Sequence, residues 1–235
     1  MHSPAAHSDV SEALTKLAVS TPGTHALDAA RSAIAQAWLQ VGSTHESDTA
    51  LRALSEGNLN DARLSAWEIG TTLASHSEPQ VATPVVGAAM AMGLRIQASE
   101  DDIAAAVAVG TQAAERLLAA VDSEGFRARW NVASSLGILG ATLAVSRLLG
   151  LDELRMRHAL GIAATQAAGL ARNVGQPMGA LETGKAAADA VEASLLAKHG
   201  VTSAPASIDG RRGLAALMAS RFDANAITAN KEELS

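Results

Sequence analysis

Residues 130–149 read WNVASSLGILGATLAVSRLL, and this stretch decides the fold because it is apolar on nearly every side of a helix. A helix that is hydrophobic all round is buried by its neighbours, so we predict a central core helix. Its glycines, Gly137 and Gly140, would let those neighbours approach closely. The stretch also contains Arg147 and four Ser or Thr residues, which favours a buried helix over a membrane span.

The composition of the whole chain agrees with a helical fold. Of its 235 residues, 53 are Ala and 48% are hydrophobic, whereas only 2% are aromatic. Ala favours helices, and strands favour aromatic and β-branched residues. We therefore predict an all-α fold class: a single Ala-rich multi-helix domain, long enough to bury a core.

Helical spacing continues on both sides of the central stretch. Apolar residues recur at intervals of three and four, Ser99 precedes three acidic residues as a helix N-cap, and Asp152 caps a later helix. Between Ala171 and Gly184, ARNVGQPMGALETG is the longest irregular stretch, and such long loops are often functional. The predicted helices cover residues 27–41, 46–58, 61–75, 81–94, 100–121, 130–149, 153–170, 185–199 and 214–221.

We predict three parts along the chain. Residues 1–23 are polar and end in Thr-Pro-Gly, which is typical of a flexible leader. Residues 24–221 form the all-helical domain, and residues 222–235 form a polar tail.

Charge and terminal patterns exclude several classes of protein. The net charge is −6 and no basic stripe occurs, so we expect no nucleic-acid partner. The chain has no Cys, and its seven His residues lack metal-ligand spacing, so we expect no metal and no disulfide. The N-terminal segment lacks the features of a signal peptide, and we therefore expect a cytoplasmic protein without a membrane partner.

Four sequence blocks, taken in order, resemble the MmgE/PrpD superfamily, which includes 2-methylcitrate dehydratase and cis-aconitate decarboxylase. The likeness extends over roughly residues 24–220. The blocks are GTQAAERLLAA (110–120), LGLDELRMRHALGIAATQAAGL (149–170), GKAAADAVEASLLAKHGVTSAP (184–205) and IDGRRGLAAL (208–217).

This resemblance implies a helical domain that, in full-length members, carries a second, smaller α/β lid domain. Here the chain ends soon after Phe222, about where the lid would begin, so we expect the helical domain alone. Members of the family act as homodimers without metal on small carboxylates, in a cleft between the two domains. The resemblance therefore implies a carboxylate or a related metabolite as ligand, a homodimer and no cofactor.

The chain departs from the catalytic motifs of the family. The His-Ala-Leu-Asp-x-Asp-Asp segment matches SAWEIGT at residues 65–71, and the His-Pro pair matches Glu78-Pro79, or Ser77 after a one-residue shift. The Gly-Phe-His segment ends in Arg127 instead of His. The Lys-x-Leu-His-x-Gly segment becomes GALETG at residues 179–184, with Glu182 at the position of the His.

A basic cluster precedes the central helix. Arg127, Arg129 and Asn131 lie next to a helix N-terminus, whose free amides and two guanidinium groups would suit a carboxylate or phosphate. The alternative is that the Arg residues pair with Asp122 or Glu124 on a solvated turn.

Polar residues of the irregular stretch form a second candidate group, since the resemblance implies that this loop lines the active site. Asn and Gln could hold a polar ligand, Arg an anion, and Glu could act as a base. The alternative is a surface loop with ordinary charges. The residues are Arg172, Asn173, Gln176, Glu182 and Lys185.

Two further candidates concern a turn and the aromatic residues. His76 and Glu78 lie close enough in sequence to share proton transfer, although a surface turn would show the same residues. Trp67 and Trp130 are most simply core residues, as is Trp38, but both fall in matched blocks and could wall an apolar ligand pocket.

Together with these candidate residues, the resemblance implies a divergent lyase or isomerase that acts by acid–base chemistry on a small organic acid or biosynthetic intermediate. Glu78, Glu182 or His76 would move the proton, and the Arg, Asn and Gln residues would bind the substrate. The alternative is a non-catalytic helical subunit that pairs with itself or forms a hetero-complex with an active homologue. A decayed paralogue without a ligand is the third interpretation.

Overall fold

The computed structural model describes residues 8–43 and 61–229 of the chain. Within these residues the backbone forms eleven α-helices and one short 3₁₀ helix, and it contains no β-strand. The prediction of an all-α fold is therefore confirmed.

In chain order, the helices are α1 (Asp9–Val19), α2 (Thr24–Ser43), α3 (Ala62–His76), α4 (Thr83–Ile96), α5 (Glu100–Val121), α6 (Glu124–Arg127), α7 (Val132–Leu148), α8 (Glu153–Ala164), α9 (Pro177–Lys198), α10 (Leu214–Met218) and α11 (Asn225–Thr228). The 3₁₀ helix, Ala171–Asn173, lies between α8 and α9.

Helix α7 is the centre of the fold, as its all-round apolar sequence predicts. Its residues from Ala133 to Ser146 are all buried, and α4, α5, α8 and α9 pack around it. The closest approach is to α5, where a Cβ on Gly110 would lie 2.7 Å from the carbonyl oxygen of Gly140. Small residues thus allow the backbones of these two helices to touch.

Contacts along the helices fix their relative directions. Arg63 of α3 pairs with Glu192 of α9, whereas Gly70 lies against Gly184, so α3 and α9 run antiparallel. Helices α7 and α9, by contrast, run parallel. Asn131, just before α7, contacts Gly179 near the start of α9, and Ser146 contacts Ser194 near the ends of both helices. The N-termini of α7 and α9 and the C-terminus of α3 therefore lie at the same end of the bundle.

The structure corrects the prediction of a flexible leader over residues 1–23. Residues 9–19 form α1, and Val10, Leu14 and Ala18, spaced four apart, are fully buried against the domain. Arg147 holds the end of α1 by donating to the carbonyl oxygens of Ala18 at 2.6 Å and Ser20 at 2.8 Å. Polar residues between these apolar positions obscured the apolar periodicity, so the sequence did not predict this helix. Residues 1–7 lie outside the described residues.

The polar tail predicted for residues 222–235 is wrong in its first half. Residues 225–228 form α11, and Ile227 is fully buried in the core. Arg116 of α5 donates to the carbonyl oxygen of Ile227, and the Asp223 amide donates to Ala120. Phe222 and Ala226 also pack against the core, so apolar contacts and these two hydrogen bonds together hold the segment. Residues 230–235 lie outside the described residues.

Two helix boundaries near the candidate site also differ from the prediction. Helix α8 ends at Ala164, so Leu170 is not one of its inward residues and is 57% exposed. Helix α9 begins at Pro177 instead of Lys185, because proline fits the first turn of a helix and the following glycines lie at close helix contacts. The irregular stretch therefore covers residues 165–176 instead of 171–184: it lies earlier in the chain and is nearly as long as predicted. The helix predicted at residues 46–58 lies outside the described residues.

Helix α5 is long and apolar enough, by length and composition alone, to cross a membrane. More than half of its apolar window (56%) is buried inside the fold. A core helix meets the same criterion, and α5 packs against α7, α2 and α4.

Candidate functional site

A short extended segment before α7 separates two functional environments. Trp130 and Leu170 form an isolated antiparallel bridge, and the Asn131 amide donates to Gly169 O at 3.1 Å. Successive side chains of extended backbone point to opposite sides. The Trp130 indole accordingly donates to the Met218 carbonyl on one side, while the Asn131 side chain meets α9 on the other.

On the α9 side, three predicted site residues come together, and we call Asn131, Asn173 and Glu182 the Glu182 cluster. Asn173 Nδ2 donates to Glu182 Oε1 at 2.6 Å, and Asn131 Nδ2 lies 3.5 Å from Glu182 Oε2. Asn131 is only 2% exposed, whereas Asn173 and Glu182 are half-buried. One carboxylate is thus held by two amide groups and stays open to solvent on one side.

Glycine makes this cluster possible. A Cβ on Gly179 would lie 2.9 Å from the carbonyl carbon of Asn173 and even closer to the Asn173 carbonyl oxygen. Without that Cβ, the 3₁₀ turn packs directly on the first turn of α9 and brings Asn173 over Glu182. The neighbouring Trp67 of α3 donates from its indole to Leu181 O at 3.1 Å. Half-buried between α3 and α9, Trp67 therefore fixes the position of the residue next to Glu182.

The surroundings of the Glu182 cluster combine positive and apolar groups. Arg172 and Gln176 are exposed beside Asn173, and Arg172 makes no ion pair within residues 8–43 and 61–229. The N-termini of α7 and α9 meet here, and helix N-termini carry partial positive charge. Three apolar residues close to Asn173 in sequence are also exposed: Leu170 at 57%, Val174 at 44% and Met178 at 50%.

Lys185 is turned away from the cluster along α9. Its Nζ lies 2.6 Å from both carboxylate oxygens of Asp189, one helical turn further on. Burial raises the pKa of Asp189 above its ordinary value, and the Lys185 ammonium acts against this rise. The described contacts of Lys185 thus match the alternative of an ordinary helix-surface charge.

The basic cluster before α7 bonds to the protein itself. Arg127 binds both carboxylate oxygens of Asp122, at 2.6 and 3.0 Å, and lowers the pKa of Asp122. Arg129 donates to Gly125 O at 2.9 Å and to Met218 O at 3.0 Å. These bonds correspond to the ion-pair alternative for Arg127, and none of them reaches the Glu182 cluster.

His76 and Glu78 lie at the C-terminal end of α3, at the end of the bundle that holds the Glu182 cluster. His76 Nδ1 donates to the Thr72 carbonyl at 2.8 Å. Both side chains are exposed, and no hydrogen bond in the described part of the chain joins them to each other or to Glu182. Of the irregular-stretch candidates the structure therefore brings Asn173 and Glu182 together, whereas it does not join the two candidates of this turn.

A cleft of about 810 Å³ opens on the Trp130 side of the extended segment. Trp130, Ala164, Leu214 and Met218 contribute to its apolar wall, and Glu182 does not line it. Its rim carries an adjacent pair of exposed residues, Arg211 and Arg212, which sequence reasoning missed because they lie in an apparent connecting segment. The dipeptide Arg-Arg inside a matched sequence block was the signal that could have found them.

Within the described residues, no group of three or more His, Asp or Glu side chains is placed to hold a metal ion. The prediction of a metal-free and cofactor-free site stays a prediction.

In a comparison with protein families, the model of the MmgE/PrpD N-terminal domain matches residues 71–226, well over half of the chain. No curated protein matches the chain.

Proposed function

Because the chain belongs to the MmgE/PrpD family, we propose that it is a divergent lyase or isomerase that uses acid–base chemistry on a small organic acid or a related biosynthetic intermediate. Members of this family are dehydratase-like. The observation that carries the proposal is the carboxylate of Glu182, which two amide side chains hold beside a solvent-open surface. The sequence resemblance puts this Glu at the position of a His in the family motif.

Glu182 is the proton-transfer group in this proposal. It takes a proton from a substrate carbon as the C–H bond breaks, and the electron pair moves into the adjacent unsaturated or carboxyl group. The proton then returns to a second carbon in an isomerase, or to the leaving group in a lyase. The bonds from Asn131 and Asn173 orient the carboxylate, so that its position is set before the substrate arrives.

Arg172 and the two helix N-termini supply the anion-binding side of the site. Arg172 is exposed next to Asn173 and has no described ion-pair partner, so its guanidinium is available to a substrate carboxylate. Gln176, the residue before α9, is a second polar group at the same edge. The apolar side chains of Leu170, Val174 and Met178 favour a substrate that is less polar than a tricarboxylate.

Exchange of substrate hydrogen for solvent deuterium tests this proposal. Mono- and dicarboxylates with acidic C–H bonds would be incubated with the protein in D₂O and followed by NMR. We expect exchange with one substrate class and its loss in Glu182→Gln. Glu192→Gln is the matched control, since Glu192 lies on the same helix and its described partner is the exposed Arg63. Equal exchange by the Glu182→Gln variant and the wild type would refute the role of Glu182.

A second candidate is the non-catalytic helical subunit, and the exposed apolar residues beside the Glu182 cluster favour it. Three large apolar residues close together in sequence, each at least 44% exposed, would be buried by a second copy or by an active homologue. We propose a cytoplasmic homodimer in either case. Sedimentation at micromolar concentration tests this, and a monomer of wild-type protein would count against the dimer.

A further inference from the structure

A separate cavity of about 380 Å³ lies between α1, α8 and the loop of residues 203–207. It shares no lining residue with the Glu182 cluster. Its size is that of a pocket for a small metabolite. Its polar lining residues include Ser11 of α1, Arg157 and His158 of α8, and Ser203 of the loop.

Several polar atoms of this cavity have no hydrogen-bond partner in the described part of the chain. Arg157 Nε and Ser203 Oγ are buried and unpartnered. Ser11 is 7% exposed, and its amide donates to Ser8 Oγ while its own hydroxyl makes no described hydrogen bond. Buried polar groups are nearly always hydrogen-bonded, so the two buried donors of Arg157 and Ser203 lack a partner that the chain itself does not supply, and the Ser11 hydroxyl is a third free donor at the same cavity.

His158 adds a fourth donor. The Ser203 amide donates to His158 Nδ1 at 3.2 Å, so Nδ1 is the acceptor nitrogen and the neutral ring carries its proton on Nε2. Gly161 lets the loop approach α8 this closely, because a Cβ on Gly161 would overlap the Ser203 side chain. The loop is thus held close to α8, and Ser203 and His158 both line the same cavity.

Within the described residues, Arg157 brings a positive charge without an ion-pair partner to the lining of the cavity. Lys16 is close enough for the Arg157 charge to oppose its protonation. Two nearby acids have partners of their own: Glu12 pairs with Lys16 at 2.6 Å, and the Asp209 carboxylate accepts from Ser8 Oγ at 2.8 Å. Glu153 also lies within electrostatic reach of Lys16.

We propose that this cavity binds the phosphate group of a small metabolite. The donors come from three elements, α1, α8 and the loop, and therefore surround a ligand instead of facing it from one side. A phosphate ester presents three terminal oxygens in a tetrahedral arrangement, which matches such donors better than a planar carboxylate does. Leu154, Ala204 and Pro205 supply apolar contacts for the rest of the ligand. The proposal does not depend on Glu182.

Titration calorimetry with inorganic phosphate, phenyl phosphate and benzoate tests the assignment. We expect both phosphates to bind, phenyl phosphate the more tightly because of the apolar wall, and benzoate to bind at least about tenfold more weakly than phenyl phosphate. If inorganic phosphate binds at least as tightly as phenyl phosphate, the assignment of a phosphate ester is overturned in favour of the free phosphate ion. Benzoate binding as tight as that of phenyl phosphate, or no binding of either phosphate at millimolar concentration, overturns the proposal.

Variants locate the site within the protein. Arg157→Gln should weaken phenyl phosphate binding about tenfold or more, the loss expected for one charge-assisted contact. Arg155→Gln is the matched control, because Arg155 lies on the same helix, is exposed and pairs with Asp152. Ser203→Ala removes one donor without a charge change, and it keeps the test valid if Arg157→Gln does not fold. If the folded Arg157→Gln and Ser203→Ala variants bind phenyl phosphate as tightly as the Arg155→Gln control does, the proposal is overturned.

Discussion

Gly70 and Gly184 touch backbone to backbone where α3 packs on α9: a Cβ on Gly70 would lie 2.9 Å from Gly184 Cα. This approach brings the Trp67 indole within hydrogen-bond distance of Leu181 O. Leu181 precedes Glu182, so the glycine contact between the two helices also fixes the position of Glu182, the candidate base, relative to α3.

Gly184→Ala should destabilise the protein. Its Cβ would lie 2.6 Å from the Thr71 amide nitrogen and closer still to the Trp67 carbonyl oxygen, and backbone atoms cannot move aside cheaply. Overpacking of this kind costs about 1–3 kcal/mol. For a chain of this length, each kcal/mol lowers the melting temperature by about 2–4 °C, which differential scanning calorimetry measures.

Gly125→Ala is the control for this prediction. Gly125 lies in α6, and a Cβ there would meet no atom within 4 Å. We expect its melting temperature to stay close to that of the wild type. A loss of stability no larger in Gly184→Ala than in Gly125→Ala would show that the close contact between α3 and α9 is not what limits this position.

Asn173→Asp should make stability depend on pH in a new way. The change replaces an amide donor, 2.6 Å from Glu182 Oε1, by a second carboxyl group. Two adjacent carboxylates raise each other's affinity for a proton, so one pKa of the new pair should lie above the unfolded value. At pH values below the unfolded pKa the variant keeps its free energy of unfolding. As the pH rises through the raised folded pKa, that free energy falls.

Thermal melts of the Asn173→Asp variant between pH 4 and pH 8 would measure this fall. Asn173→Ala is the control, because it removes the same hydrogen bond without adding a charge, and its melting temperature should run parallel to that of the wild type. Parallel curves for all three proteins would contradict the contact between residues 173 and 182.

The helical scaffold could be predicted because its signals are local. Apolar periodicity predicted α3, α5 and α7, and the Ser99 and Asp152 side chains do accept from the amides of Asp102 and Arg155 as N-caps. Helix α1 shows the limit of prediction from local signals, since its buried residues lie four apart within a polar segment. Burial by a distant helix, not local composition, decides such a case.

The candidate site was only partly predictable. Asn131, Asn173 and Glu182 were named from two separate stretches, and the fold brings them into contact. The same sequence reasoning could not choose between a ligand clamp and an ion pair for Arg127, because the choice depends on where Asp122 ends α5. The donors around Arg157 gave no sequence signal, since they meet only through the return of the chain near Ser203.

Asp189→Asn should stabilise the protein at neutral pH. Burial raises the pKa of Asp189, so the folded state binds this proton more tightly than the unfolded state does. Ionised Asp189 therefore costs stability, and the cost grows as pH rises from the unfolded pKa through the raised folded pKa. Loss of the exposed contact with Lys185 offsets part of the gain, by about 0.3–0.5 kcal/mol.

Denaturant titrations at pH 3 and pH 7 would measure the Asp189 effect. At pH 3 the carboxyl group is protonated in both states, and the variant should match the wild type. At pH 7 the variant should be the more stable protein. Lys185→Met is the complementary control, because removing the ammonium leaves Asp189 buried without its partner and should destabilise the fold at pH 7. A variant of Asp189 that is less stable at pH 7 would contradict the burial argument.

Arg127→Gln and Arg172→Gln should separate a structural arginine from a ligand-binding one. Arg127 lowers the pKa of Asp122, a contribution to stability that is present above the unfolded pKa and lost as pH falls through the lowered folded pKa. Because the pair is exposed, Arg127→Gln should cost only about 0.2–1 kcal/mol at pH 7 and nothing in strong acid. Arg172 has no described partner, so Arg172→Gln should leave stability unchanged and weaken carboxylate binding instead. Thermal shifts with and without a carboxylate ligand measure both effects, and a weaker ligand shift in Arg127→Gln alone would place the anion at Arg127 rather than beside Glu182.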